Sequence, residues 1–189
     1  MRTNTPLYYA ICGGWYDACV LLMESGANID TTLLHIAIEY DRINICELLL
    51  DCGIDVNDSC NKHGPSIHKA IERGNTDICR LLLDRGASLE DIEDYVAPLY
   101  YAVGEEQYDI CKLFIERGSN VNYRFKNQSG YRGSILKEAI CNNHVGILRL
   151  LIDNGIDLNQ RCGGKTALEY AMKHSLMMYD MIRSAMHKR

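Results

Sequence analysis

One short string returns along this chain in a fixed phase, and that repetition constrains the fold more than any other feature. TPLYYA (5–10), TLLHIA (32–37), PSIHKA (65–70), APLYYA (97–102), SILKEA (134–139) and TALEYA (166–171) end on Ala10, Ala37, Ala70, Ala102, Ala139 and Ala171, spaced 27, 33, 32, 37 and 32 residues apart. A second string, VLLMESGA, ELLLDCGI, RLLLDRGA, KLFIERGS or RLLIDNGI, follows each of the first five. Its glycines, Gly26, Gly53, Gly86, Gly118 and Gly155, are spaced 27, 33, 32 and 37. The two series keep one phase, so all length variation lies between a glycine and the next alanine. A segment that tolerates insertion behaves as a loop between rigid parts.

The rigid part reads as two short helices. In the third unit Pro65 opens the first, with Ile67 and Ala70 three apart on one face, and Gly74-Asn75 breaks it. Thr76 to Asp84 then carries Ile78, Cys79, Leu81, Leu82 and Leu83, an apolar stripe at helical spacing, and Gly86 stands where a left-handed C-terminal cap belongs. Two helices of about ten residues cannot bury such a stripe alone, whereas stacked copies bury it against each other.

TPL(H/Y)xA, a Gly-centred turn, a helix ending LLxxG(A/I) and a V/I/L-N/D step together resemble the ankyrin repeat. LHIAIEYDRINICELLLDCGIDVN and IHKAIERGNTDICRLLLDRGASLE carry the resemblance most fully, and it extends over about residues 3–186. It implies an all-α solenoid of about six stacked helix-turn-helix units joined by β-hairpin loops. The expected organisation is a single domain over 1–189, with repeats at about 3–30, 31–57, 58–90, 91–122, 123–159 and 160–189. The short link between the first two repeats is expected to lack a full hairpin, and the long link between the fourth and fifth to form an extended finger. The resemblance also implies a partner-binding concave face of hairpin tips and first helices. Asn57, Asn122 and Asn159 match the hairpin asparagine at which such repeats are hydroxylated.

Nine cysteines in 189 residues raise the question of redox or metal chemistry. An odd count, without a visible export signal, favours reduced thiols in a cytosol-like compartment. Cys19, Cys46, Cys79 and Cys111 share one position in the second helix, which predicts core packing, since buried Cys acts as a small hydrophobe. Cys12 and Cys141 share the end of a first helix and are expected to be partly buried; Cys60 and Cys162 fall in hairpins, where exposure is expected. Cys60, His63 and His68 lack the fourth ligand that a zinc site needs, and His68 fills the LHxA slot. GGWYD (13–17) and CGGK (162–165) do not match the phosphate-loop pattern. No catalytic set, metal site or cofactor is therefore expected. No apolar run approaches the roughly 20 residues of a membrane span.

The insert-tolerant segments carry the most individual chemistry. After Gly86, LEDIEDYV gathers Glu90, Asp91, Glu93 and Asp94 beside Tyr95; the next link holds Tyr123, Arg124, Phe125, Lys126, Tyr131 and Arg132, with Lys137 following. Tyr, Phe and Arg are typical interface anchors. Positions two and three after each repeat alanine, expected on the concave face, include Glu39-Tyr40, Glu72-Arg73 and Glu105. These residues are expected to bind a protein partner, with a basic segment steered to the acidic middle. Two alternatives are a single-stranded nucleic-acid or phosphate-rich ligand on the basic aromatic loop 123–137, against which the neighbouring acids argue, and a thiol-dependent enzyme. In the C-terminal stretch, Met177, Met178, Met181, Ile182 and Met186 suggest an amphipathic cap. Frequent Ile, Asn, Tyr and Cys with irregular repeat lengths suggest a viral or bacterial host-directed effector, a monomer in the cytoplasm, with the nucleus as an alternative.

Overall fold

The computed structural model describes residues 5–60, 64–92, 95–126 and 132–187. The chain gathers into two compact units, residues 1–88 and 89–189.

In the first unit, α1 (Pro6–Gly13), α2 (Tyr16–Glu24), α3 (Thr31–Glu39), α4 (Ile43–Asp51), α5 (Ser66–Glu72) and α6 (Thr76–Asp84) form three antiparallel pairs. First helices α1, α3 and α5 pack side by side, and second helices α2, α4 and α6 form a layer behind them. Between α4 and α5, β1 (Ser59–Cys60) pairs antiparallel with β2 (Gly64–Pro65). No strand separates α2 from α3: Asp30 caps α3 directly by accepting from the Leu33 N–H at 3.2 Å. The short first link thus lacks a hairpin, as its length predicts.

The second unit repeats the plan with α7 (Pro98–Gly104), α8 (Tyr108–Glu116), α9 (Ile135–Cys141), α10 (Val145–Asp153), α11 (Ala167–His174) and α12 (Leu176–His187). Here α7, α9 and α11 form one layer, and α8, α10 and α12 the other. The long link is a finger: β3 (Arg124–Lys126) pairs with β4 (Arg132–Ser134), setting Phe125 opposite Gly133. The last link closes tightly, with Cys162 and Lys165 exchanging backbone hydrogen bonds of 3.0 and 3.2 Å.

The repeat alanines explain this stacking. Ala37, Ala70, Ala102, Ala139 and Ala171 are fully buried between first helices, where a longer side chain would push the layer apart. Each of the first five alanines also fixes its turn. The N–H groups of Trp15, Arg42, Asn75, Gln107 and His144 donate to the carbonyls of Ala10, Ala37, Ala70, Ala102 and Ala139 at 2.8–3.2 Å. The residue just before each of these donors is left-handed: Gly14, Asp41, Gly74, Glu106 and Asn143 have φ of 73°, 54°, 65°, 57° and 60°. Second helices end in a Schellman closure, seen at Gly86 and Ala87, whose N–H groups donate to the Leu83 and Leu82 carbonyls at 3.0 and 2.9 Å.

Candidate functional site: the hairpin and first-helix face

Cys19, Cys46, Cys79 and Cys111 are fully buried, as their shared position predicts. Burial pushes the Cys46, Cys79 and Cys111 thiols up to about 12, so the nucleophilic thiolate is scarce at neutral pH. Cys162 corrects the expectation of an exposed hairpin thiol. Only 3% exposed, it is turned inward by the tight Cys162–Lys165 closure and lines a narrow crevice with Leu136, Ile140 and Ala167. Cys12 and Cys141 are half-buried and Cys52 is exposed. Cys60 has only its backbone described and His63 lies outside the described residues, while His68 is buried on α5. Among the described residues no group of three or more His, Cys, Asp and Glu could hold a metal ion. Among them, too, no helix is long and apolar enough to cross a membrane.

In the first unit, the charged ends of α3 and α5 interlock. Lys69 forms an ion pair with Glu39 and reaches Glu72 at 3.4 Å; Arg73 reaches Glu39 at 3.8 Å and Asp41 at 3.5 Å. Asn75 adds a hydrogen bond to Asp41 at 3.2 Å. The Lys69 hydrogen bond is the main cause that holds the Glu39 carboxyl below its ordinary value, and Glu39 in turn raises the Lys69 ammonium. Glu39, Glu72 and Arg73 are therefore brought together, with Lys69 among them, and the acidic middle expected from the sequence is largely neutralised by its own neighbours. Tyr40 stands beside this network, 45% exposed.

In the second unit, Glu90 and Asp91 are exposed and Tyr95 is half-buried, its backbone bridged to Ile92. Glu93, Asp94 and Tyr131 lie outside the described residues; Lys126 and Arg132 are placed by their β3–β4 pairing only. Tyr123 is not a displayed tip: it is 8% exposed. Burial raises its phenol, with Asp91 and Glu90 adding to the effect. Its ring and that of Phe125 meet Tyr100 edge-on, with centroids 6.2 and 4.9 Å apart. The aromatics thus brace the finger, because β3 turns alternate side chains inward. Glu105 ends α7 and lines a separate cleft of about 430 Å³ with Glu106, Tyr108 and His144.

Around Arg124 and Lys137 the structure gathers three residues that the sequence reading does not include among the candidate residues, Arg161, Lys165 and Tyr170. Arg124 is exposed and donates to the Arg161 carbonyl at 2.6 Å, while Arg161 donates to the Gly164 carbonyl at 3.0 Å. Lys137 and Lys165 each place their ammonium 5.9 Å from the centre of the Tyr170 ring. A signal for this cluster existed: Arg124 and Arg161 stand at one repeat position, directly after Asn-Tyr and Asn-Gln. The hairpin asparagines serve the frame. Asn57 donates to the Gly86 carbonyl at 3.0 Å and accepts from the Ser88 N–H at 2.8 Å, and Asn122 accepts from the Asp157 N–H at 2.7 Å.

Paired helices in two layers, an alanine-anchored turn and an asparagine tie between successive loops define a class of stacked-repeat solenoid. A sequence profile of ankyrin repeats (3 copies) matches residues 2–60 and 57–125, and the chain belongs to the ankyrin-repeat family. Among solved structures, the chain is similar to the human ASB11 ankyrin repeat domain, with 19% identity over 96% of this chain and 84% of that one, at a TM-score of 0.79. It is also similar to the ankyrin repeat domain of Bcl-3, a member of the IkappaB protein family, with 24% identity, 96% and 86% coverage and a TM-score of 0.80. No curated protein sequence matches the chain.

Proposed function

We propose that this chain is a non-catalytic protein-interaction module that engages its partner through hairpins and the ends of first helices. One observation carries the reading. The residues that define the repeat are consumed by the frame: the alanines and second-helix cysteines are buried and the glycines sit in caps. The side chains that differ from repeat to repeat, among them Tyr40, Glu72, Glu90, Asp91, Glu105 and Arg124, are exposed on hairpins and helix ends. Glu39, Arg73, Tyr95, Lys126 and Arg132 belong to the same segments. Single-stranded nucleic acid is less well supported, because Tyr123 is buried and Phe125 is packed on Tyr100, leaving neither as a stacking platform.

The reading carries a cytoplasmic setting with it, where free thiols stay reduced. A host-directed role is its finer form, supported by the composition and the uneven repeat lengths.

Affinity capture with mass spectrometry tests the module. Tyr40→Ala, Glu90→Ala, Asp91→Ala and Arg124→Ala combined should lose the captured protein. Arg80→Ala, Lys112→Ala and Arg149→Ala, on the exposed sides of α6, α8 and α10, should keep it. Retention by the first variant, or no protein captured in stoichiometric amount, would overturn the reading.

A further inference from the structure

Bases in this chain are held in two ways, and the first unit already shows both: its Arg42 donates to the Cys12 carbonyl at 3.0 Å, while others meet carboxylates. In the first unit Lys69, Arg73 and Arg85 meet carboxylates: Arg85 reaches Glu47 and Asp51 at 3.0 Å each, and the other two belong to the Glu39 network. In the second unit Arg124 and Arg161 donate to backbone carbonyls. A carbonyl satisfies a guanidinium N–H without cancelling its charge. Residues 123–138 and 159–174, the last two hairpins with the first helices they lead into, contain seven Lys and Arg against two carboxylates. Both carboxylates keep their charge, and the Thr166 hydrogen bonds, with Arg161 and Lys165 adding to them, hold the Glu169 carboxyl below its ordinary value. Glu138 accepts from the Tyr100 hydroxyl at 2.7 Å and from Asn142 at 2.9 Å; Glu169 accepts from the Thr166 N–H and hydroxyl at 2.6 and 2.9 Å.

We infer that this pair of hairpins docks an acidic peptide segment of the partner, with Arg124, Arg161 and Lys165 at its exposed rim and Lys137 and Tyr170 at its floor. The inference rests on the interaction-module reading and gives it a partner chemistry. Lys137 comes from α9, Lys165 from the turn before α11 and Tyr170 from α11 itself, so the cluster is assembled by stacking and is held by rigid elements. Both ammoniums lie 5.9 Å from the centre of the Tyr170 ring, whose hydroxyl donates to the Cys162 carbonyl at 2.9 Å. The hydroxyl hydrogen bond thereby fixes the ring as an apolar floor beside both cations. Carboxylates spaced by small or apolar residues suit that alternation. A continuous phosphate backbone suits it less, because Glu138 and Glu169 interrupt the positive field and no described ring of the finger is free to stack on bases.

Fluorescence anisotropy with the full chain tests the docking surface, using a labelled peptide of alternating Glu and Ser, its Gln-for-Glu counterpart and an oligothymidylate of equal length. The acidic peptide should bind about tenfold or more tighter than the Gln peptide and should weaken as salt rises, since exposed charges are screened beyond a Debye length. Arg124→Glu, Arg161→Glu and Lys165→Glu combined should abolish binding, and the corresponding Gln changes should weaken it about tenfold. Arg80→Glu, Lys112→Glu and Arg149→Glu, an equal change in net charge on exposed positions of second helices, should leave it within about twofold. Circular dichroism confirms that each variant is folded. Absence of peptide binding, equal loss from both charge reversals, or oligothymidylate bound as tightly as the peptide would overturn the inference. The capture experiment separates the two readings. A partner lost with the hairpin variant while the acidic peptide fails to bind removes the acidic chemistry and leaves the module; capture that is indifferent to the hairpin variant removes the module itself.

Discussion

Where α3 and α5 meet in the first unit, charges are balanced side chain to side chain, whereas in the second unit Arg124 and Arg161 are held by backbone carbonyls. The helical frame beneath is the same in both. Ala37 and Ala70 in one unit and Ala102 and Ala139 in the other are equally buried, and Cys79 and Cys111 are equally mute. Packing therefore leaves no room for variation in the helix pairs, and individuality is confined to what the links and helix ends present. The difference also separates two uses of a charged residue. Glu39, Lys69 and Arg73 brace α3 against α5, while Arg124 and Arg161 are fixed by backbone carbonyls at exposed positions.

The sharpest way to break this contrast is to deform the basic finger without touching a charge. Phe125 stands opposite Gly133, and a Cβ built on Gly133 would come within 2.1 Å of the Phe125 ring. The same ring packs edge-on against Tyr100, with centroids 4.9 Å apart, so moving it disturbs that contact. Gly133→Ala should cost about 1–3 kcal/mol, the usual range for overpacking, and Phe125→Ala with Gly133→Ala should cost less than the sum of the single changes. Thermal and urea unfolding of the three variants measure this. An unchanged midpoint for Gly133→Ala would show that the finger is not braced by that contact.

The frame was legible in the sequence because its signals repeat. Six alanines and five glycines in one phase fix helix pairs and turns without reference to any tertiary contact. The four second-helix cysteines were placed correctly for the same reason. Cys162 was misplaced because nothing local distinguishes a hairpin residue that turns inward. Its burial follows from the Cys162–Lys165 closure, which brings the thiol over Leu136 and Ile140 of the preceding first helix. Tyr123 and Phe125 were read as anchors for a related reason. Aromatic residues in a loop suit an interface and a brace equally, and Tyr100, which decides between them, lies more than 20 residues away in sequence. The neutralised Glu39 network was invisible because α3 and α5 meet only when repeats stack. Arg161 is legible only through its repeat position, which equals that of Arg124.

A smaller effect sharpens the comparison within the frame. The turn position that is Gly14, Asp41 and Gly74 in the first unit is Glu106 and Asn143 in the second, all with positive φ. Asn tolerates that conformation through its short polar side chain, whereas Glu bears most of the cost of about 1–2 kcal/mol. Glu106 also approaches His144 at 3.3 Å, but its carboxylate side chain is 70% exposed and such a pair is worth little. Relief of strain should outweigh both the lost pair and the extra freedom of glycine in the unfolded chain. Glu106→Gly should therefore stabilise by about 0.5–1 kcal/mol, and Asn143→Gly by less. Equal shifts in the two melting temperatures would show that strain at this turn does not depend on the side chain.

The smallest effect asks whether the first unit's charges are in fact structural. Glu39 has its carboxyl held down by Lys69, so its contribution is complete above the ordinary carboxylate value and is lost as pH falls through the lowered one. Lys69 is raised by the same contact, so its contribution is complete below the ordinary ammonium value and is lost as pH rises through the raised one. Between these limits the pair stabilises at full strength. The Lys69 and Glu39 side chains are 21% and 42% exposed, so solvent screening reduces the gain to a few tenths of a kcal/mol, at most about 1. Lys69→Met keeps the aliphatic packing of the stem and removes the charge. Its melting temperature should fall slightly at neutral pH and converge on that of the parent chain at the acid end. Arg124→Met, which removes a base held by a carbonyl, should run parallel to the parent over the same acid range. Parallel curves for Lys69→Met would place both cations in the same class and remove the distinction between a bracing charge and a displayed one.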